Sequence, residues 1–171
     1  MANKLYNLFN ALSLTFWLSV IYVAKEQLTF RYNIHFIFTV ISTIVVALIL
    51  GSLSLTLAKY LGKESTIITV AAVESADPTF LPIYTGYFLV AFSVSSLYQL
   101  SVASAFVFAI LILTQWQFFN PTYLLKGYHC YYITTHNKIK ILVMCKKELR
   151  SPDKINLNNL RRINNTTYID I

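Results

Sequence analysis

Glu74 and Asp77 form a close acidic pair in the polar stretch Glu74-Ser75-Ala76-Asp77-Pro78. Such a pair can hold a cation or a basic partner, although two carboxylates without further oxygen ligands make a poor site for a hard metal. A solvated turn is the competing reading. His129, Cys130 and Cys145 are zinc-ligand types, but two thiols and one imidazole fall short of a tetrahedral set. Asn7 and Asn10, with Ser93, Ser96 and Gln99, are polar groups in apolar surroundings. They could line a pore, or serve helix packing, where small and hydroxyl side chains let backbones approach and bond back to their own carbonyls. Lys146, Lys147, Arg150, Lys154, Arg161 and Arg162 crowd the C-terminal part. These cations can fix topology, lie against anionic headgroups or dock an acidic partner. Together with Glu74 and Asp77 they are the candidate docking residues. No Gly-rich phosphate loop, HExxH or nucleophile elbow occurs, and there are only 4 glycines. The expectation is a non-enzymatic protein without metal, cofactor or small-molecule substrate.

The elements that must carry these residues are mostly apolar. Leu5–Val23, Ile34–Leu57, Pro82–Gln99 and Val102–Phe119 contain no Asp, Glu, Lys or Arg. Each is ~18–24 residues, and a bilayer core takes ~20 residues at ~1.5 Å rise. The chain is 56% hydrophobic and 12% charged, whereas soluble domains run at ~25% charged. Four helices without a charged face cannot all be covered by so short a chain, so the bilayer must cover them. The fold class expected is a mainly α membrane protein. A four-helix transmembrane bundle (residues 1–119) would carry a small β-rich, basic cytoplasmic domain (residues 120–171).

Charge orients the chain. The net charge is +7, and from Asn120 onward nine basic residues face Glu148, Asp153 and Asp170. Lys and Arg gather on the cytoplasmic side of a membrane. With four spans, Lys4, the connection Ala58–Leu81 and the tail all lie inside, and only Lys25 and Arg31 lie outside. Both termini are then cytoplasmic. A single tilted span with a re-entrant part across Phe80–Phe119 is the alternative, with the termini on opposite sides. Tyr and Trp near the span ends, such as Tyr22, Tyr60 and Trp116, form an aromatic belt. The first span lacks a small-x-small cleavage site and reads as a retained signal-anchor.

Two segments lie outside the spans. Ser65–Val73 is β-branched and predicts a short strand in the connection. In the tail, His129–Thr135 and Ile139–Cys145 predict a hairpin around a two-residue loop at Asn137-Lys138. That register pairs His136 with Ile139 and Cys130 with Cys145, so both thiols share a face with Tyr132, Thr134, Ile141 and Val143. A helix or turn near Leu157–Ile163 and a last strand at Tyr168–Ile171 would complete a three-stranded sheet, which needs neighbours for stability.

The four spans, the motif Phe80-Leu81-Pro82-Ile83-Tyr84-Thr85-Gly86-Tyr87-Phe88 opening the third, Asn120-Pro121 closing the fourth and Gly127-Tyr128-His129-Cys130-Tyr131 opening the tail resemble the KwaA family. That family supplies the membrane subunit of the two-component Kiwa anti-phage system of bacteria. The resemblance implies a homo-oligomeric (tetramer-compatible) inner-membrane protein that responds to infection and recruits a cytoplasmic DNA-binding effector, KwaB. It carries no residue-level motif, and direct contact of the chain with nucleic acid is not expected. Two functions from different classes follow. One is a sensor and scaffold whose tail and connection dock the effector. The other is an oligomeric channel or pore-forming effector lined by the Asn and Ser stripes.

Overall fold

The computed structural model describes residues 2–29, 34–63, 70–114, 119–149, 157 and 159–171. Arg150, Lys154, Trp116 and the first residues of the stretch expected to form a strand, 65–69, lie outside them.

Helix α1 (Ala2–Thr29) is the centre of the helical layer. Its buried residues Tyr6, Asn10, Leu14, Leu18 and Tyr22 recur every fourth position, so one stripe drifts around the helix and can face several neighbours. Helix α2 (Ile34–Ala58) packs on it, with Ala47, Gly51, Ser54 and Ala58 all buried. Small side chains at this spacing allow close backbone approach.

Helices α3 (Phe80–Ser93) and α4 (Leu97–Thr114) follow, separated by the extended Val94. Phe80 and Ile83 sit at the Tyr6 end of α1, whereas Ala91, Val94 and Leu100 meet Leu18 and Tyr22. Leu111 has returned to Ala11 and Leu14. Thus α3 climbs alongside α1 and α4 descends. Three helices, at Asn3–Glu26, Ile37–Ala58 and Leu97–Thr114, are long and apolar enough to cross a membrane. Helix α3 has 14 residues, or ~21 Å at ~1.5 Å each, less than a ~30 Å core. The break lies at residues 94–96 rather than between Gln99 and Val102, where the expected third and fourth spans meet. Local capping holds it there: Ser96 Oγ accepts the Gln99 N–H (3.3 Å), and Gln99 Oε1 accepts from the backbone N–H and hydroxyl of Ser95 (2.9 and 3.0 Å).

Beyond the helices the described residues build one five-stranded sheet, not three strands. Strands β1 (Val70–Ser75), β2 (His129–Thr135), β3 (Lys140–Cys145), β4 (Leu160–Arg162) and β5 (Thr167–Asp170) lie in the order β1-β2-β3-β5-β4. Only β3 and β5 are parallel. Leu160–Arg162 is therefore a strand rather than the expected helix or turn. Strand β1 comes from the connection, so the sheet draws on both sides of residue 119.

The hairpin register is shifted by one from that expected. Thr134 faces Lys140 and Cys130 faces Met144. The Thr135 carbonyl accepts the Lys138 N–H at 2.9 Å, and the Thr135 N–H donates to the Ile139 carbonyl at 3.0 Å. The loop is thus three residues, His136-Asn137-Lys138, with Lys138 at φ 61°, the left-handed position that ends such a loop. A one-residue shift exchanges faces. Cys130 therefore joins Leu142 and Met144 toward the helices, and Cys145 joins Tyr131, Ile133, Ile141 and Val143 on the far side. Both thiols are free and buried.

Candidate functional site

The polar side chains of this protein converge where helices meet sheet. Asn120 opens the short helix α5 (Pro121–Leu125), with Oδ1 accepting the Thr122 N–H at 3.0 Å. Pro121 at the first helical position makes this an efficient start. The other face of the same amide donates to Asn10 Oδ1 (2.8 Å) and Ser13 Oγ (3.1 Å) in α1. Ser13 in turn donates to the Ala47 carbonyl of α2 at 3.0 Å. One turn further along, Ser54, Tyr123 and Tyr6 make a chain of hydroxyls at 2.8 and 3.1 Å. All these residues are buried. Gly51 lies directly under α5: a Cβ there would come within 2.5–2.8 Å of the Thr122 side chain. The cluster ties α1, α2 and α5 to one another and thereby to β2.

Asn10 is thus an interhelical ligand within a closed network. Asn7 is half-buried one turn earlier. Ser93 Oγ donates to the Val90 carbonyl (2.8 Å), and Ser96 and Gln99 form the cap of α4. The described positions bring Asn10 to a junction but do not bring Ser93, Ser96 and Gln99 there with it. Sequence reasoning missed Asn120, Ser54 and Tyr123. The Asn-Pro pair that ends the fourth apolar stretch was the available signal, since Asn before Pro caps a new helix.

Glu74 and Asp77 are held apart in purpose. Asp77 accepts the Cys130 N–H on Oδ1 (2.8 Å) and meets His129 Nδ1 on Oδ2 (2.7 Å). Together with the Ala76 N–H bonded to the Cys130 carbonyl at 2.8 Å, it clips the connection to the start of β2. Glu74 pairs with Lys140 at 2.9 Å, and that ammonium also lies over the Tyr132 ring. Among the described residues no group of three or more His, Cys, Asp and Glu is placed to hold a metal.

The basic residues divide likewise. Arg161 donates to the Leu61 carbonyl (3.0 Å) and pairs with Lys63 as a bridge, while the Arg162 N–H bonds the Gly62 carbonyl (3.0 Å). The segment leaving α2 therefore lines the β4 edge, as β1 lines the β2 edge. The α2–α3 connection grips the tail sheet on both sides. The Arg162 guanidinium turns outward to Asn164 and Asn165. Lys147 reaches Asp170 at 3.6 Å, and Lys146 lies over Tyr128 at 5.1 Å. Burial pushes the Cys145 thiol up to about 11, the Cys130 thiol higher still, and the Tyr123, Tyr128 and Tyr131 hydroxyls above their ordinary value. Neither thiol is an available nucleophile near neutrality.

The family model of the anti-phage protein KwaA matches residues 4–169. The chain belongs to that family. Neither a curated protein nor a solved structure matches it.

Proposed function

We propose that this anti-phage protein is a non-enzymatic sensor and scaffold of the bacterial inner membrane that recruits a cytoplasmic effector resembling KwaB. The observation that carries the reading is the double grip of the α2–α3 connection on the tail sheet, residues 62–63 on one edge and Val70–Ser75 on the other. A shift of α2 against α3 is transmitted to both edges at once, so a disturbance of the helices alters the surface offered to a partner. Rigid linkage of this kind is what a membrane sensor needs to report to a soluble subunit.

Placement in the bilayer rests on the three apolar helices and on their outward side chains, among them Ile41, Ile49, Phe106 and Leu113, all exposed. The climb of α3 and the descent of α4 along α1 fit a four-helix arrangement with both termini on the cytoplasmic side, in which the 14-residue α3 enters the bilayer without spanning its whole core. Outward apolar surface on α2 and α4 also suits packing against further copies of the chain. The back-bonded serines and the closed Asn10–Asn120 network favour helix packing over a lumen.

The test is recovery of the co-expressed effector from solubilised membranes. Replacing Lys147, Arg150, Lys154 and Arg162 by Ala should leave membrane insertion intact, reduce effector recovery at least ~10-fold, since several kcal/mol of charge complementarity are lost, and abolish protection in a phage plating assay. Wild-type recovery from that variant discards the docking role.

A further inference from the structure

Two clefts of about 510 and about 180 Å³ meet at the foot of α2 and share Lys59, Tyr128, Lys146 and Ile171. Lys59 is the first residue after α2, Lys126 caps α5, and Lys146 is the first residue after β3. Three separate elements thus end on one groove, each with an exposed ammonium. The Tyr128 ring beneath Lys146, at 5.1 Å, fixes that side chain over the opening. The one acidic side chain in the lining, Asp170, is already engaged by Lys147 and by the Asn159 N–H at 3.1 Å. The last α2 carbonyls, which would repel an anion, are taken up by the N–H groups of Lys59, Tyr60 and Leu61. On the other side the groove opens onto Ser52 and Thr56, whose hydroxyls are returned to their own helix, beside the exposed apolar side chains of Ile49 and Leu53.

We propose that this groove binds the headgroup phosphate of an anionic phospholipid, with Lys59, Lys126 and Lys146 on the phosphate and the acyl chains laid along Ile49 and Leu53. A free phosphate would use the lysines only. The apolar flank selects the lipid. Each lysine contributes about fivefold to attraction by an anionic headgroup, so the three together are worth on the order of 100-fold. The inference rests on the membrane placement proposed above.

The experiment uses the full chain in nanodiscs of equimolar phosphatidylglycerol and phosphatidylcholine, with co-purifying lipid read by native mass spectrometry. Phosphatidylglycerol should be retained over phosphatidylcholine at least ~10-fold, and the combined Lys59→Gln, Lys126→Gln and Lys146→Gln variant should lose that preference. The Arg162→Ala variant should keep it, as should Lys138→Asn at the hairpin tip. Inorganic phosphate, added as competitor, should not displace the lipid. Equal retention of both lipids by the wild type, unchanged preference in the Gln variant, or displacement by phosphate each overturns the proposal. A chain that does not enter nanodiscs at all overturns the membrane placement instead, so the two failures are distinguishable.

Discussion

Individual residues at the helix–sheet junction carry more than their chemical type suggests. Gly51 is there because α5 crosses α2 without room for a methyl group. Its added Cβ would meet Oγ1, Cβ and Cγ2 of Thr122 at 2.5, 2.6 and 2.8 Å. Rotating the threonine side chain cannot relieve a clash that includes its own Cβ. Gly51→Ala is therefore expected to destabilise the detergent-solubilised protein by about 1–3 kcal/mol, and Thr122→Gly in the same chain should recover part of the loss. Thermal melting of the wild type and the two variants checks this. No recovery would mean that Gly51 acts through α1 instead.

Cys145 gives a pH dependence. Its folded thiol sits at about 11 because it is buried, whereas an unfolded thiol titrates near ~8.5. The neutral form is the one favoured by the fold. Its contribution is fully present below ~8.5 and is lost as pH rises from there toward the folded value. The melting temperature should fall between about pH 8.5 and 10.5, with a shallower fall in Cys145→Ala. Equal slopes would rule this thiol out as the cause.

At the scale of elements, β1 decides how the sheet is finished. The Ala76 N–H bonds the Cys130 carbonyl and Glu74 faces Tyr132. By the alternation of an antiparallel ladder, the Glu74 N–H points to β2 and the Val73 N–H to the open edge. Glu74→Pro should therefore expose the Tyr132 and Thr134 amides to exchange, while Val73→Pro leaves them largely protected. Glu74→Ala separates this from loss of the Lys140 pair. Equal exchange in both proline variants would contradict the register.

The apolar helices were legible in the sequence because a bilayer-length run without charge is a local signal, from Leu5 through Phe119. The hairpin was legible as two strands but not in register. The left-handed Lys138 lengthens the loop by one residue, and Lys is not a residue type that announces that conformation. The partner of β1 was not legible at all. Val70 meets Thr135 across three intervening α-helices, and non-local pairing leaves no mark in either segment alone. For the same reason Glu74 and Asp77 looked like a free acidic pair, although each finds its partner in the tail. The basic tail was read correctly as a concentration of charge. Which of its members face outward depended on the edge contacts of Arg161 and Arg162.

For the whole molecule, the consequence is that helices and sheet cannot be treated as anchor and appendage. Removing Lys126–Ile171 would take away the docking charges, but it would also strip β1 and residues 62–63 of every strand partner they have in the described sheet. Substitution of outward charges is for that reason the cleaner probe of effector recruitment.

The same double grip also sets an order of events during synthesis. Lys63 leaves the ribosome 98 residues ahead of Arg161, its bridge partner. At ~5–20 residues per second this is a wait of about 5–20 s. Both edge segments stay unpaired until α3 and α4 have been made. Closure of the sheet thus certifies that every helix has already been delivered, and a chain stalled midway presents bare strand edges to the cell's proteases.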